Sequence, residues 1–177
     1  MDKYKILTAP DPILKTKSSS IDKVDDEIRV QMERMLETMY DDNGIGLAAN
    51  QVGLLNRVIV MDLDWRNTEG GREGGNPVFL ANPEIIWESE ELSGMDEGCL
   101  SVPGHYAEVQ RPANVRVKYL DFDGKEQELE AEGLLSHCVQ HEIDHLNGKL
   151  FVDHLSNLKR NMIIKKLKKD KKQGTIL

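Results

Sequence analysis

The sequence of 177 residues contains one local pattern typical of metal chemistry, two histidines four positions apart. His141 and His145 enclose Glu142 in the run His-Glu-Ile-Asp-His. On a helix such histidines share one face with a rise of about 6 Å, so both rings can bind one ion. A carboxylate beside the first histidine can accept a proton from water on that ion. The pattern predicts a metal-dependent hydrolase, and its alternative is a helix with two surface histidines.

The predicted helix directs this histidine face toward the core. Leu134 and Cys138 precede the two histidines at helical spacing and share their face, and Glu142 lies beside it. Burial makes a carboxyl group less willing to ionise, which helps Glu142 to act as a base and then as an acid near neutral pH. We therefore expect Glu142 to be the proton-transfer group.

A catalytic metal needs a third protein ligand, and the common zinc-protease solutions do not fit this sequence. The extended motif requires histidine at position 151, which is Phe151. A later glutamate ligand is excluded because no Glu follows Glu142. Cys138 lies about 10 Å along a straight helix from His145, so packing or pocket lining is expected of it. An H-E-x-x-H endopeptidase is therefore the disfavoured enzyme alternative.

Cys99 is the favoured third ligand. It lies in a glycine-rich strand region, where the backbone allows a side chain to leave at an unusual angle. A thiolate is a strong ligand for a borderline-soft divalent ion, although a free cysteine is usually a small buried hydrophobe. Spacing alone leaves four other residues open as the third ligand: Asp153, His154, His105 and Glu97.

Hydrophobic periodicity predicts the elements that must position these residues. Helices are predicted over residues 25–42, 133–147 and from 153–156 to about 172, and strands over 57–63, 78–82 and 84–89. A hairpin is predicted over 114–131, and residues 44–53 are predicted to form a loop or short edge strand. This order predicts one α+β domain over residues 1–177, with antiparallel strands packed around the central H-E-x-x-H helix and a C-terminal helix.

Charge is divided unevenly along the chain. The net charge is −8, but residues 156–177 hold eight Lys or Arg and one Asp, so this basic tail carries +7 and the remainder −15. Its helix is predicted to have one apolar stripe, formed by Leu155, Leu158, Met162 and Ile163. A solvated face is expected of the lysines, and contact with ribosomal RNA is the alternative.

The sequence also indicates in which cellular compartment the protein is expected. No apolar run approaches the roughly 18 residues that span a bilayer, and the start lacks the pattern of a signal peptide. Two cysteines are too few for a disulfide scaffold. We therefore expect a cytoplasmic protein with reduced thiols and without a membrane or DNA partner.

Three segments closely resemble the signature motifs of the peptide deformylase family in its bacterial form. They are residues 44–51 (GIGLAANQ), 97–101 (EGCLS) and 140–145 (QHEIDH), in that order, and the likeness extends over nearly the whole chain. The resemblance implies a hydrolase that removes the N-formyl group from the N-terminal methionine of newly synthesised polypeptides and releases formate. Formylmethionyl nascent peptides, and through the basic tail the ribosome, are the implied partners.

The resemblance also implies residue roles. Cys99, His141 and His145 would bind one divalent ion, typically iron(II), for which zinc, nickel or cobalt can substitute. Water would attack the formyl carbon with Glu142 as general base and acid. The developing oxyanion would be stabilised by the side-chain amide of Gln51 and the backbone N–H of Leu100. The substrate would be bound by the backbone of Gly46 and by Ile45, Glu97, Leu134 and Cys138.

Some positions depart from the family pattern or stay open. His137 stands where the family usually has an apolar residue, and it either lines the methionine pocket or faces solvent. Tyr106 and Arg111 either touch the peptide backbone or lie on the surface of a strand. Residues 64–77 are glycine-rich and read as a surface loop individual to this chain.

Overall fold

Three helices lie close to their predicted positions in the computed structural model, which describes residues 2–176. They are α1 (Asp26–Asp41), α2 (Gly133–Leu146) and α3 (Asn157–Lys172). Side-chain caps begin two of them, because Asp25 accepts a hydrogen bond from Ile28 N and Ser156 accepts one from Lys159 N. Within residues 2–176, no helix is both long and apolar enough to cross a membrane.

Across residues 2–176, seven strands form two antiparallel sheets, which confirms the predicted α+β class. The strands are β1 (Gly46–Ala48), β2 (Val58–Met61), β3 (Val78–Glu88), β4 (Leu92–Cys99), β5 (Val102–Pro112), β6 (Asn114–Leu120) and β7 (Glu126–Glu132). The larger sheet has the order β1-β2-β3-β6-β7, and β4 pairs with β5 in a separate hairpin. The predicted hairpin over 114–131 is the β6–β7 pair.

Helix α2 lies against the larger sheet, and α1 packs on the other side of β1 and β2. Leu47, Val58 and Val60 contact the methionines of α1, whereas the alternate residues Ile59 and Met61 join the cluster of α2. This two-sided burial explains why β2 is an uninterrupted apolar run rather than an alternating one. The H-E-x-x-H helix is therefore central, as predicted.

Strand β3 is continuous where the sequence predicts two strands separated by Pro83. The register shifts between Ala81 and Glu84, and Asn82 takes a left-handed conformation with φ +49°. The Asn82 side chain accepts a hydrogen bond from Ile21 N and donates one to Ile21 O. A bulge thus accommodates the proline, which is one of the few ways a sheet strand tolerates this residue.

The apolar face of α3 differs from the predicted stripe. Leu158 and Met162 are 72% and 63% exposed, so half of that stripe is wrong. Leu167 is fully buried instead, and Ile163 packs beside it against the cluster that contains Phe151. The helix is therefore turned so that its middle turns, rather than its first turn, pack against the core.

Candidate metal centre

The structure brings Cys99, His141 and His145 together at one point. His145 Nε2 lies 3.2 Å from both Cys99 Sγ and His141 Nε2. A tetrahedral ion with bonds of about 2.0 Å to nitrogen and 2.3 Å to sulfur places its ligand atoms about 3.3–3.5 Å apart. Two of the three donor distances are therefore close to those of one tetrahedral ion, and all three donor atoms lie within 4.8 Å of one another. Among residues 2–176 they are the only such group of three ligand side chains.

The fold positions the three donors from two elements. His141 and His145 lie one turn apart on α2, while Cys99 ends β4. The β4–β5 register shifts between Gly98 and Cys99, so the strand breaks its regular alternation at the ligand. This local irregularity is what the glycine-rich sequence around Cys99 predicts.

The four alternative third ligands have other surroundings. Asp153 binds Lys15 and Arg160, and His154 binds Asp144, away from the cluster. His105 borders the cleft but lies outside the ligand group. The fourth alternative, Glu97, contacts His141 at Nδ1 rather than at the metal-facing nitrogen.

Glu97 is a buried acceptor beneath the metal centre. Its Oε1 accepts from His141 Nδ1 at 2.8 Å and from Arg111 Nη2 at 2.9 Å, while Oε2 accepts from Arg111 Nε at 2.7 Å. Burial alone would raise the pKa of Glu97, but the hydrogen bonds from Arg111 and His141 hold it well below its usual value. Since Nδ1 of His141 donates to this carboxylate, its Nε2 is left for a metal. Glu97 borders the cleft, and protein donors bind both of its oxygens; its expected contact with the substrate stays a prediction.

The two histidines differ electrostatically. Burial, followed by the neighbouring His141, holds the pKa of His145 well below its usual value, which favours the neutral ring that binds metals. Burial would also lower the pKa of His141, but Cys99 and Glu97 raise it well above the usual range. A raised pKa favours a ring that carries protons on both nitrogens. A cation bound at His141 Nε2 would take the place of the proton on that nitrogen.

Glu142 lies against the first motif with its carboxyl group buried. The side chain is 4% exposed, and a Cβ atom at position 46 would stand 2.5 Å from Glu142 Oε1, so only Gly46 leaves room for it. No other described residue bonds to Glu142 Oε2. The pKa of Glu142 is raised to about 7, chiefly by burial; the charges of His141 and Arg111 lower it, and the charge of Glu97 adds to the rise. Such a group can both take and return a proton near neutrality.

Two hydrogen-bond donors adjoin Cys99. Gln51 Oε1 accepts from Ala48 N at 2.9 Å, which turns its amide nitrogen toward Ser101 Oγ at 3.0 Å and Cys99 Sγ at 3.5 Å. Leu100 lies in the turn between β4 and β5, directly after Cys99. The arrangement brings one amide N–H2 group and one peptide group beside the ligand sulfur.

A cleft of about 950 Å³ opens onto this centre. Ile45, Leu134 and Cys138 border it, with Leu134 partly exposed and Cys138 buried. His137 also borders the cleft but is buried, with Nδ1 3.2 Å from Glu97 Oε2, so the solvent-facing alternative is wrong. The cleft thus has a largely apolar side next to the metal-ligand group and Glu142.

The structure also shows the surroundings of Tyr106, Arg111 and the loop over residues 64–77. Tyr106 is an exposed strand residue at the cleft rim. Arg111 is 4% exposed and ion-paired with Glu97 and Asp144, so it is neither a surface residue nor a cleft residue. The loop over residues 64–77 is anchored, because Trp65 Nε1 donates to Gly44 O at 2.9 Å beside the first motif.

Sequence comparison identifies the family. The sequence model of polypeptide deformylase matches residues 3–161. The chain belongs to the polypeptide deformylase family. It is therefore a metal-dependent hydrolase that removes the N-formyl group from nascent polypeptides. This membership confirms the resemblance and excludes the endopeptidase alternative.

Curated relatives and solved structures of this family cover almost the whole chain. A peptide deformylase of Methylocella silvestris is 54% identical over 93% of this chain and 83% of its own length. One of Mesorhizobium japonicum is 52% identical over 97% of both chains. A crystal structure of peptide deformylase from Ehrlichia chaffeensis has a TM-score of 0.90 and 41% identity, and the match covers 99% of this chain and 100% of that one.

Proposed function

We propose that Glu142 is the general base and acid of deformylation. The observation that carries this role is the buried Glu142 carboxyl group, which lies beside Gly46 and has an Oε2 atom that no other described residue bonds. Water attacking the formyl carbon loses a proton to Glu142, and Glu142 returns it to the leaving amine as formate departs. A pKa of about 7 suits both transfers.

Cys99, His141 and His145 would hold one divalent ion. When bound, the ion supplies a Lewis acid that polarises the formyl oxygen and makes water more acidic. The chain contributes the supporting bond from His141 to Glu97, which fixes the ring that presents Nε2. We propose iron(II) as the physiological ion, with zinc, nickel or cobalt as replacements. Metal analysis after anaerobic purification, with activity compared after reloading each ion, tests this choice.

Gln51 and Leu100 are the proposed oxyanion donors. The amide nitrogen of Gln51 and the backbone N–H of Leu100 adjoin Cys99, where the formyl oxygen would gain negative charge. Hydrogen bonds that strengthen as this charge develops lower the barrier more than they tighten substrate binding. Gln51→Leu should therefore reduce kcat more than it raises KM.

The lining of the cleft supports a proposed selection for a formylated methionine. The backbone of Gly46 would contact the peptide, while Ile45, Leu134 and Cys138 would border the unbranched methionine side chain. A formyl group carries only hydrogen on its carbonyl carbon, so a closely packed centre can admit it and exclude larger acyl groups.

Formate release tests the proposed reaction. Anaerobically prepared enzyme should release formate from formyl-Met-Ala-Ser and leave acetyl-Met-Ala-Ser intact. Oxygen must be excluded because thiolate ligands oxidise readily. Absence of formate release from metal-loaded wild type would overturn the proposal.

The basic helix α3 is the proposed contact with the ribosome. Leu158, Met162, Lys165 and Lys169 are exposed and follow helical spacing, so they form one apolar and cationic face. Phosphate backbones attract such a face in a salt-dependent way. Because Leu167 is buried, deleting the helix would disturb the fold, and Lys165→Glu with Lys169→Glu is the better test. These changes should abolish salt-sensitive cosedimentation with ribosomes; unchanged cosedimentation would contradict the contact.

The proposed setting follows from the substrate. Nascent formylmethionyl chains emerge from ribosomes, so we place the enzyme in the cytoplasm. We propose that residues 1–177 act as one catalytic domain in which residues 156–177 supply the basic tail. Fractionation of cells that express the tagged chain tests the location.

A further inference from the structure

We infer that His154 is a positioning residue for the metal centre and acts on His141 through Asp144, Arg111 and Glu97. The inference rests on the proposed ligand set. It concerns a histidine outside the three signature motifs, which spacing alone offers only as an alternative ligand.

Four hydrogen bonds form a continuous path from His154 to the metal ligand. His154 Nε2 lies 2.7 Å from Asp144 Oδ2, and Arg111 Nη1 donates to the same oxygen at 2.8 Å. Arg111 Nε then donates to Glu97 Oε2 at 2.7 Å, and Glu97 Oε1 accepts from His141 Nδ1 at 2.8 Å. No contact in this path exceeds ordinary hydrogen-bond length.

The path runs from a partly exposed outer end to a buried inner half. The side chain of His154 is 34% exposed and that of Asp144 19%, whereas Arg111 and Glu97 are 4% and 7% exposed. Charged groups this deeply buried depend on fixed partners, because water cannot replace a lost hydrogen bond. His154 is thus the outermost partner of a charged network that water hardly reaches.

The network also connects separate elements. Glu97 lies on β4, Arg111 on β5, Asp144 on α2, and His154 in the 3₁₀ turn Phe151–His154. Asp144 directly precedes the ligand His145. The hydrogen bond between Asp144 and His154 therefore holds the helical turn that carries His145, the second histidine ligand. Without His154, Asp144 loses one of its two described partners, and both Arg111 and this turn gain freedom. Looser ligands should release the ion faster.

Metal release tests the inference on the intact, cobalt-loaded enzyme. His154→Phe removes the hydrogen bond and keeps a ring, whereas His154→Gln keeps an amide nitrogen near the position of Nε2. Arg160→Met is the matched control, because Arg160 is 38% exposed and binds Asp153 on the same flank without joining the network. We would follow cobalt transfer to a chelator and the absorption bands of the cobalt–thiolate centre.

His154→Phe should release cobalt about tenfold faster, at the lower end of the effect of losing a supporting partner, and should alter the cobalt bands. His154→Gln should restore most of the wild-type rate, and Arg160→Met should match wild type. Equal release by His154→Phe and wild type would overturn the inference, as would an equal acceleration by Arg160→Met. Failure of wild type to form a cobalt–thiolate centre would instead contradict the proposed ligands.

Discussion

At the scale of single residues, the metal centre requires glycine at position 46 as well as its ligands. Gly46 lets β1 approach α2 so closely that a Cβ atom would stand 2.5 Å from Glu142 Oε1. This contact keeps the carboxyl group away from solvent, and burial is the largest cause of its raised pKa. The position therefore needs glycine for space rather than for a left-handed backbone.

Gly46→Ala should lower kcat for formyl-Met-Ala-Ser by about 100-fold, since a displaced general base loses most of its typical contribution. Gly94→Ala is the matched control: its Cβ would stand 2.3 Å from Gln110 Nε2, but that exposed side chain can move. Steady-state kinetics with equal metal content checks both. Equal rates for Gly46→Ala and wild type would contradict the role of this contact.

The buried ion pair of Arg111 should matter more for folding than a surface pair. Arg111→Met leaves Glu97 and Asp144 without their arginine and should lower the free energy of unfolding by about 3 kcal/mol. Arg116→Met removes an exposed pair between Arg116 on β6 and Glu130 on β7, and it should cost less than about 1 kcal/mol. Urea unfolding of the two metal-loaded variants measures the contrast, and similar losses would refute it.

At the residue scale, a site can be predicted from the sequence where the spacing of its residues is local. His141, Glu142 and His145 follow one helical repeat, so their shared site could be predicted from five consecutive positions. The Glu97–Arg111 pair could not, because it joins two strands whose pairing has no local signal. Cys99 is an intermediate case. Its thiolate chemistry favours it as a ligand, but it lies 46 positions from His145 in the sequence, and only the fold brings its Sγ to 3.2 Å from His145 Nε2.

At the scale of elements, helices could be predicted more fully than strands. Apolar repeats identify α1 and α2 to within a residue or two. The hairpin of β4 and β5 carries glycines and many exposed polar residues, so its alternation is hidden, although it supplies both Cys99 and Arg111. The stripe of α3 was half wrong, because several apolar faces were available and packing against the Phe151 cluster selected another.

Helix α3 gives a direct test of that packing. Leu167→Ala should lower the free energy of unfolding by about 2–5 kcal/mol, as expected for a fully buried leucine. Met162→Ala, at an exposed position of the same helix, should change it by less than about 0.5 kcal/mol. Thermal unfolding of both variants distinguishes the positions. Comparable losses would show that the helix packs through its predicted stripe after all.

At the scale of the whole molecule, the proposed ion would join α2 to the β4–β5 hairpin. Ligand binding at 100 times Kd stabilises a folded protein by about 2.7 kcal/mol, and 1 kcal/mol shifts Tm by about 2–4 °C at this size. Chelation should therefore lower Tm by about 5–10 °C, and reloading should restore it. An unchanged Tm after verified metal removal would contradict a structural link through the ion.

Glu142 is proposed to move protons at a metal centre built by Cys99, His141 and His145. The most direct test measures metal content and formate release together in Glu142→Gln. We expect one ion per chain, as in wild type, with formate release reduced by about 10²- to 10⁴-fold. Wild-type formate release by this variant, or a loss of activity explained entirely by loss of the metal, would contradict it.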